Sequence, residues 1–267
     1  GRINDSGAAM YHAIGQRVDG ISERITTSGE ALASLLDTRI ASLTGRTEAM
    51  TPNADWARDY DEVRRLGGKN STERTAQQTL MAKYRQAFDL TPSLRLVADS
   101  PGRTPVQNAR MFALYQMALD DAAAAMVVAK MHYEFWRPIT AIRNGADDGN
   151  DATAPDSAWV PLLPTPNFQE YPCGHCTAAA AHAEVMKAET GPRPASGVRV
   201  ASSAVPTAAV QVLPSWDEWV RQVSDSRIYG GVHYRFSNEA GEEIGRRAAR
   251  MVLDRVMRPQ PRRNARR

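Results

Sequence analysis

Residues 104–138, TPVQNARMFALYQMALDDAAAAMVVAKMHYEFWRP, hold the clearest structural signal in the chain. Thr104 offers a side-chain cap, and Pro105 takes the first helical position, where a missing N–H costs nothing. Helix-compatible residues then run to Arg137, and Pro138 disfavours helical backbone at the residue before it, so the helix is expected to stop there. Working outward, Asn70 and Glu73 predict a capping-box start for a helix reaching about Phe88. An alanine-rich helix is expected from about Gly174 to Thr190, closed by Gly191. Ser215 and Glu218 open another, and a last helix is expected over roughly 238–257. Between them lie an Asp/Gly/Asn-rich loop (144–158), a turn-rich stretch (Pro161–Pro172), and residues 192–213, read as a long loop or a short hairpin. No convincing run of strand alternation is present, so the fold is expected to be mostly α.

Composition narrows the function. With 42% hydrophobic and 24% charged residues among 267, the chain is ordinary for one large domain or two small ones. No run approaches 18 consecutive apolar residues, so no membrane span is expected. The formal charge of +3 misleads: five of the 33 Lys and Arg sit in the acid-free tail 258–267, leaving 28 against 30 acids in the body. That balance argues against a nucleic-acid partner. Two cysteines cannot build a disulfide framework. The chain begins Gly-Arg without a Met, shows no leader, and reads as a fragment or trimmed chain. Ile14, Val18, Ile21, Ile25, Leu32 and Leu35 form a narrow seam on a helix over 8–43. It reads as an N-terminal arm (1–50) that either joins two copies into a homodimer or lies against its own domain.

Three stretches can carry chemistry. Lys130 and Arg137, seven apart on one expected helix, share a face beside Val127, Val128, Phe135 and Trp136. Two partly buried cations imply a bound oxyanion or acidic partners, while alone they read more readily as surface cations snorkelling from an amphipathic helix. Pro172-Cys173-Gly174-His175-Cys176 sits where a loop meets a helix N-terminus, so free N–H groups and the dipole favour an anion. Its C-x-x-C spacing also suits a thioredoxin-like oxidoreductase, but such motifs follow a strand in a βαβ unit. Haem attachment needs His directly after the second Cys, where Thr177 stands, and the other histidines match no zinc spacing. Cys176 alone reads as a small buried helix residue. In Ser226-Arg227…His233, Gly230-Gly231 lets Arg and His share a site, although His233 alone would read as a core histidine.

Taken in order, Lys-x6-Arg-Pro, Pro-x-Gly-His and Ser-Arg-x5-His resemble the three-part oxyanion site of the vanadium-dependent haloperoxidase and type 2 phosphatidic acid phosphatase superfamily. The flanks Arg137–Arg143, Trp159, Pro164–Phe168 and Gly230–Phe236 resemble its soluble haloperoxidase branch, over about residues 52–257. The resemblance implies an all-α helical bundle with long connecting loops. It implies vanadate as cofactor, in a pocket that phosphate could also occupy. Lys130, Arg137 and Arg227 fall where equatorial oxygens are neutralised, Cys173 and Gly174 where further donors stand, and His233 where the axial ligand or phosphorus nucleophile lies. His175 matches the acid–base residue and Phe168 the halide border. The implied reaction takes halide, hydrogen peroxide and a small organic acceptor. The alternatives are an acid phosphatase working through phospho-His233, or a non-catalytic oxyanion-binding protein. Family members are often exported; the compartment stays open here. Cys173 replaces the usual Ser, and Ser237 stands where many members have Asp, so Ser237 is expected instead to cap the last helix.

Overall fold

The computed structural model describes residues 54–258; the expected N-terminal seam and the tail beyond lie outside the described residues. In chain order the elements are α1 (Ala54–Gly67), α2 (Ala76–Tyr84), a 3-10 turn (Arg85–Ala87), β1 (Phe88–Asp89), α3 (Thr91–Ala98), α4 (Pro105–Tyr133), α5 (Pro138–Arg143), α6 (Gly174–Thr190), β2 (Val198–Ser202), β3 (Gln211–Leu213), α7 (Trp216–Tyr229) and α8 (Arg235–Arg255). The described residues form a helical fold with one small antiparallel sheet of order β1-β2-β3, in which Phe88 faces Ser202 and Val198 faces Leu213. The hairpin that was one reading of 192–213 is therefore present, while β1 was not anticipated.

The centre is three mutually packed helices, α4, α6 and α8, with α7 against α6. Along α4, Met111, Leu114, Tyr115, Ala118, Ala122, Ala125 and Ala129 recur at three- and four-residue steps and are buried. This alanine stripe presents a flat surface that lets backbones approach. On α8 the same device is stronger: a Cβ at Gly241 would meet the Cys173 carbonyl, and one at Gly245 the Thr177 carbonyl. Glycine at these two positions holds the α6 N-terminus against α8. One 18-residue window within 105–143 has a mean hydropathy of 1.3, apolar enough to cross a membrane by length and composition alone. Its buried alanine stripe is nevertheless used as a bundle contact.

Helix ends explain where the sequence reading slipped. Thr104 caps α4 in a capping box with Gln107, as expected, but α4 ends at Tyr133 because Glu134 turns left-handed (φ 45°) and returns its N–H to the Lys130 carbonyl. Arg137 is then extended, and Pro138 opens α5 instead of closing α4, so Lys130 and Arg137 do not share a helix. The capping box of α2 is Thr75 with Gln78, not Asn70 with Glu73; the Glu73 carboxylate goes to Arg65. Ser215 caps α7 by accepting from the Glu218 N–H at 3.0 Å. α8 starts at Arg235, so Ser237 lies inside its first turn, wholly buried, and is not its cap. The first turn of α8 is satisfied from α1, where buried Asp59 accepts from the Phe236 N–H at 2.8 Å.

Two cores are present among the described residues. One includes the buried stripes of the central helices, among them Met111, Ala122, Ala180 and Ala248, and extends to Tyr84, Leu94, Val200, Trp216 and Trp219. The other is aromatic: Trp56, Tyr60, Trp159 and Tyr234, with Phe135, Trp136 and Phe236 packed on it. Trp56 lies edge-on to Tyr234 at 5.0 Å, and Tyr234 stacks on Phe236 at 5.5 Å. This second core backs the segment that carries His233 and, through Gly67 against Gly231, brings α1 into backbone contact with it.

Candidate functional site

Lys130, at the C-terminal end of α4, is buried and directs its ammonium at the segment that precedes α6. It donates to the carbonyls of Gln169 (2.9 Å), Glu170 (2.9 Å) and Pro172 (2.6 Å). Arg137, also buried, reaches the same segment from the α4–α5 link. Its Nε donates to the Phe168 carbonyl (2.9 Å) and its Nη1 to the Val232 carbonyl (2.9 Å). Arg227, from the last turn of α7, donates from Nε to Ser226 Oγ at 3.1 Å. Among the described residues, none of these three cations forms an ion pair with a carboxylate. Arg137 Nη2 is buried with no partner at all. Burial pushes Lys130 down to about 8 and Arg227 down to about 10, and lowers Arg137 as well. Each would gain from an anion placed among them.

His233 sits at the centre of this charge. Its Nε2 lies 3.1 Å from Arg137 Nη1, a donor, so Nε2 holds a lone pair. Nδ1 then carries the proton and donates to Glu170 Oε1 at 2.6 Å. Burial, then the charges of Arg137, Lys130, Arg227 and His175, hold His233 well below its ordinary value, so the contact joins a neutral imidazole to a carboxyl group and is not an ion pair. Glu170 is fully buried and also accepts from the Tyr234 N–H at 3.1 Å. Burial pushes it up to about 7, against the opposing pull of Arg137 and Lys130. One carboxylate thus stands among three buried cations, an excess that a multiply charged anion would neutralise.

The third side is the α6 N-terminus. Gly174 and His175 open the helix, so their N–H groups have no helical acceptor and sit at the positive end of the dipole. The thiol donor expected of Cys173 is not present. Cys173 is joined to Cys176 in a disulfide, its sulfur instead accepts from the Cys176 N–H (3.2 Å), and its amide donates to the Ser237 carbonyl (3.1 Å). Cys173 therefore has no free donor for an oxyanion in this state, and Cys176 is buried as expected but bonded. The pair follows a loop into a helical bundle, which removes the βαβ context of the thioredoxin-like reading. His175 donates from Nε2 to the Gln86 carbonyl at 2.9 Å. Burial, then Arg227, push it down to about 4. Phe168 is more than half exposed, with its ring 5.3 Å from Lys130 Nζ and 4.9 Å from Arg137 Cζ, so it borders two of the cations.

Lys130, Arg137, His175, Arg227 and His233 are thus brought together, with Gly174 and Phe168 beside them. Sequence reasoning missed Glu170, whose only signal was an acid inside a stretch of Pro, Phe and Tyr. Buried Ser237 Oγ lies 3.5 Å from His233 Nδ1, on the same side of the ring as the Glu170 carboxyl group. Among the described residues no cluster of three or more His, Cys, Asp or Glu could hold a metal cation. The donor set suits an anion.

Comparison with known proteins bears on the family and the fold. The family described as the VCPO second helical-bundle domain matches residues 110–261. The vanadium chloroperoxidase of Curvularia inaequalis is 26% identical over 261 positions, covering 72% of this chain and 42% of that protein. Among solved structures, a bacterial vanadium-dependent iodoperoxidase superposes with a TM-score of 0.61 at 21% identity, over 74% of this chain and 49% of that one. A holo-type bacterial vanadium-dependent chloroperoxidase gives 0.53 at 16%, over 74% and 46%. The chain spans less than half the length of these relatives.

Proposed function

This chain belongs to the family of the second helical-bundle domain of vanadium chloroperoxidase, and from that premise we propose that it oxidises halide with hydrogen peroxide to hypohalous acid, using vanadate. The observation that carries the reading is the cage itself: three buried cations without carboxylate partners, an orphaned Arg137 Nη2, and a histidine lone pair aimed among them. Vanadate fits this donor set: its charged oxygens would take the N–H donors, among them the unpartnered Arg137 Nη2, and the His233 lone pair could serve it as a nitrogen ligand.

In this reading Arg137, Arg227 and Lys130 would hold the oxide's oxygens, with Lys130 exchanging one of its three carbonyl contacts for the oxide. The Gly174 N–H, free at the helix N-terminus, would donate to a further oxygen. His233 offers Nε2 as the nitrogen ligand, and Glu170 fixes the ring's tautomer and orientation from behind. When bound, vanadate supplies a Lewis acid that makes peroxide electrophilic toward halide. His175, which burial and then Arg227 keep neutral, would take a proton from incoming peroxide and pass it to the peroxide oxygen released when halide takes the other. Phe168, at the exposed margin of the cage, borders the path of halide and the small organic acceptor. Most of the acceleration is assigned to charge fixed in place before substrate arrives. All of the residues given a role in this chemistry lie within the described residues 54–258.

The test is halogenation of a phenol-type dye with bromide and peroxide, with and without added vanadate. Vanadate-dependent turnover abolished by His233→Ala is expected. Full turnover in chelator-treated, vanadate-free protein would overturn the metal role. Phosphatase turnover inhibited by vanadate, without halogenation, would move the assignment to the phospho-His233 reading.

A further inference from the structure

We propose that the short segment Arg85–Phe88 is a positioning element for His175: the Gln86 carbonyl takes the Nε2 proton and leaves Nδ1 as the nitrogen that exchanges protons with substrate. The segment lies outside the matched family region, which begins at residue 110. The proposal rests on the acid–base role given to His175 above and adds which ring nitrogen acts and what selects it.

A carbonyl oxygen can only accept, so the 2.9 Å contact between His175 Nε2 and Gln86 O places the proton on Nε2. A neutral imidazole carries one proton, and Nδ1 is then the basic site. Arg227 and Arg137 are the charges that act on the ring, and both favour this neutral state. The Gln86 carbonyl is held in place from several directions. Arg85 is wholly buried, with its guanidinium 5.0 Å from the Tyr84 ring centroid and 5.2 Å from that of Trp219. Its Nη2 donates to Gln211 Oε1 on β3 and Gln222 Oε1 on α7, each at 2.6 Å. One residue after Gln86, the Ala87 carbonyl accepts from the Ser203 N–H at 3.0 Å. Phe88 then packs edge-on against both Trp219 (4.7 Å) and His175 (6.1 Å). A buried arginine that forms no direct ion pair, with Glu218 acting on it only at a distance, is costly unless its neighbours use it. Here it ties a 3-10 turn to a sheet and a helix at the point where that turn meets the site.

The test is nitrogen-15 NMR of histidine-labelled full-length protein, with the His175 signals identified by their loss in His175→Ala. At neutral pH the wild type is expected to show His175 as the Nε2–H tautomer. Arg85→Met keeps the side chain's bulk but cannot bond the glutamines. It is expected to shift the tautomer ratio toward Nδ1–H by about two- to tenfold, the range an ordinary hydrogen bond supports. Turnover should fall in proportion to the Nε2–H population lost, and by no more than the shift in the ratio, with a changed pH profile and little change in the KM for halide. If Arg85→Met does not fold, Gln222→Met, at a half-buried position, removes one of the two acceptors and is expected to give a smaller shift in the same direction. A wild-type His175 protonated on Nδ1, or a ratio and pH profile unmoved by these variants, would overturn the proposal. Because the spectrum is read without turnover, absence of peroxidase activity would sink the functional reading while leaving the tautomer assignment standing or falling by itself.

Discussion

Replacing Glu170 with Gln separates the two jobs this residue is given, fixing His233 and compensating the cage. The Gln carbonyl can still accept from His233 Nδ1, now 2.6 Å from Oε1, but as a neutral acceptor. Hydrogen bonds to charged groups are worth about 1.5–3 kcal/mol, against about 0.5–1.5 kcal/mol for neutral ones. The loss in holding the ring is therefore about 1–2 kcal/mol, or roughly 5- to 30-fold in kcat at 1.4 kcal/mol per tenfold. The effect on the anion has the opposite sign. Measured across the imidazole, the carboxylate stands roughly 7 Å from an anion on Nε2, and at an effective dielectric of 20 its repulsion is about 2 kcal/mol per unit of anion charge. Affinity for vanadate or phosphate should thus tighten at least tenfold while turnover drops. The assay is dye halogenation beside equilibrium anion binding, both at pH 8, where Glu170, pushed up to about 7, is ionised. As pH falls below about 7 the wild-type carboxyl becomes protonated, and the difference between the two proteins should shrink. Unchanged kcat, or turnover and affinity falling together, would refute the division of roles.

Other consequences are equally direct. His182 is buried with both ring nitrogens unpartnered and stacked on Tyr115 at 3.8 Å, and burial pushes it down to about 4. A base with a lowered folded value loses stability as pH falls from about 6.5 toward 4, so the wild type should lose about 2 kcal/mol from this group between pH 8 and pH 5; in His182→Phe, denaturant titrations should show that part of the slope removed, and an identical slope would contradict it. Cys173→Ser combined with Cys176→Ala puts a hydroxyl donor where the disulfide has none, and phosphate binding by calorimetry should tighten about two- to tenfold; unchanged or weaker binding would show that position 173 does not face the anion. Gly245→Ala places a Cβ against the Thr177 carbonyl and 2.8 Å from the Ala181 amide; overpacking of this kind costs about 1–3 kcal/mol, or roughly 2–12 °C in Tm for a chain of this size, and an unshifted melt would show that α6 and α8 can part freely.

Much of this architecture was legible because local rules dominate it. Thr104-Pro105 at the start of α4, Gly191 after α6 and Ser215 before α7 act within one turn, and the structure uses all three. The break after Tyr133 was not legible, since a left-handed Glu134 leaves no residue signature. That break matters: it frees Arg137 to approach the 168–172 segment from a different direction than Lys130. The start of α8 was misplaced because its first turn is satisfied by Asp59, more than 170 positions earlier in the chain, and Ser237 looked like the local substitute. β1 is two residues long, too short for alternation to register. For the site, ordered motifs named the cations and histidines. Glu170 and Gln86 escaped because one acts through burial and the other through its backbone, which no side-chain pattern encodes.

The central claim is that this fold encloses a small, multiply charged oxide, and equilibrium binding of vanadate to the intact chain, followed by vanadium-51 NMR, tests it most directly. One vanadate per chain is expected, displaced competitively by phosphate and weakened roughly 10- to 150-fold in Arg137→Ala, the loss of a hydrogen bond to a charged group. Absence of saturable binding, or binding that Arg137→Ala leaves intact, would contradict the cage.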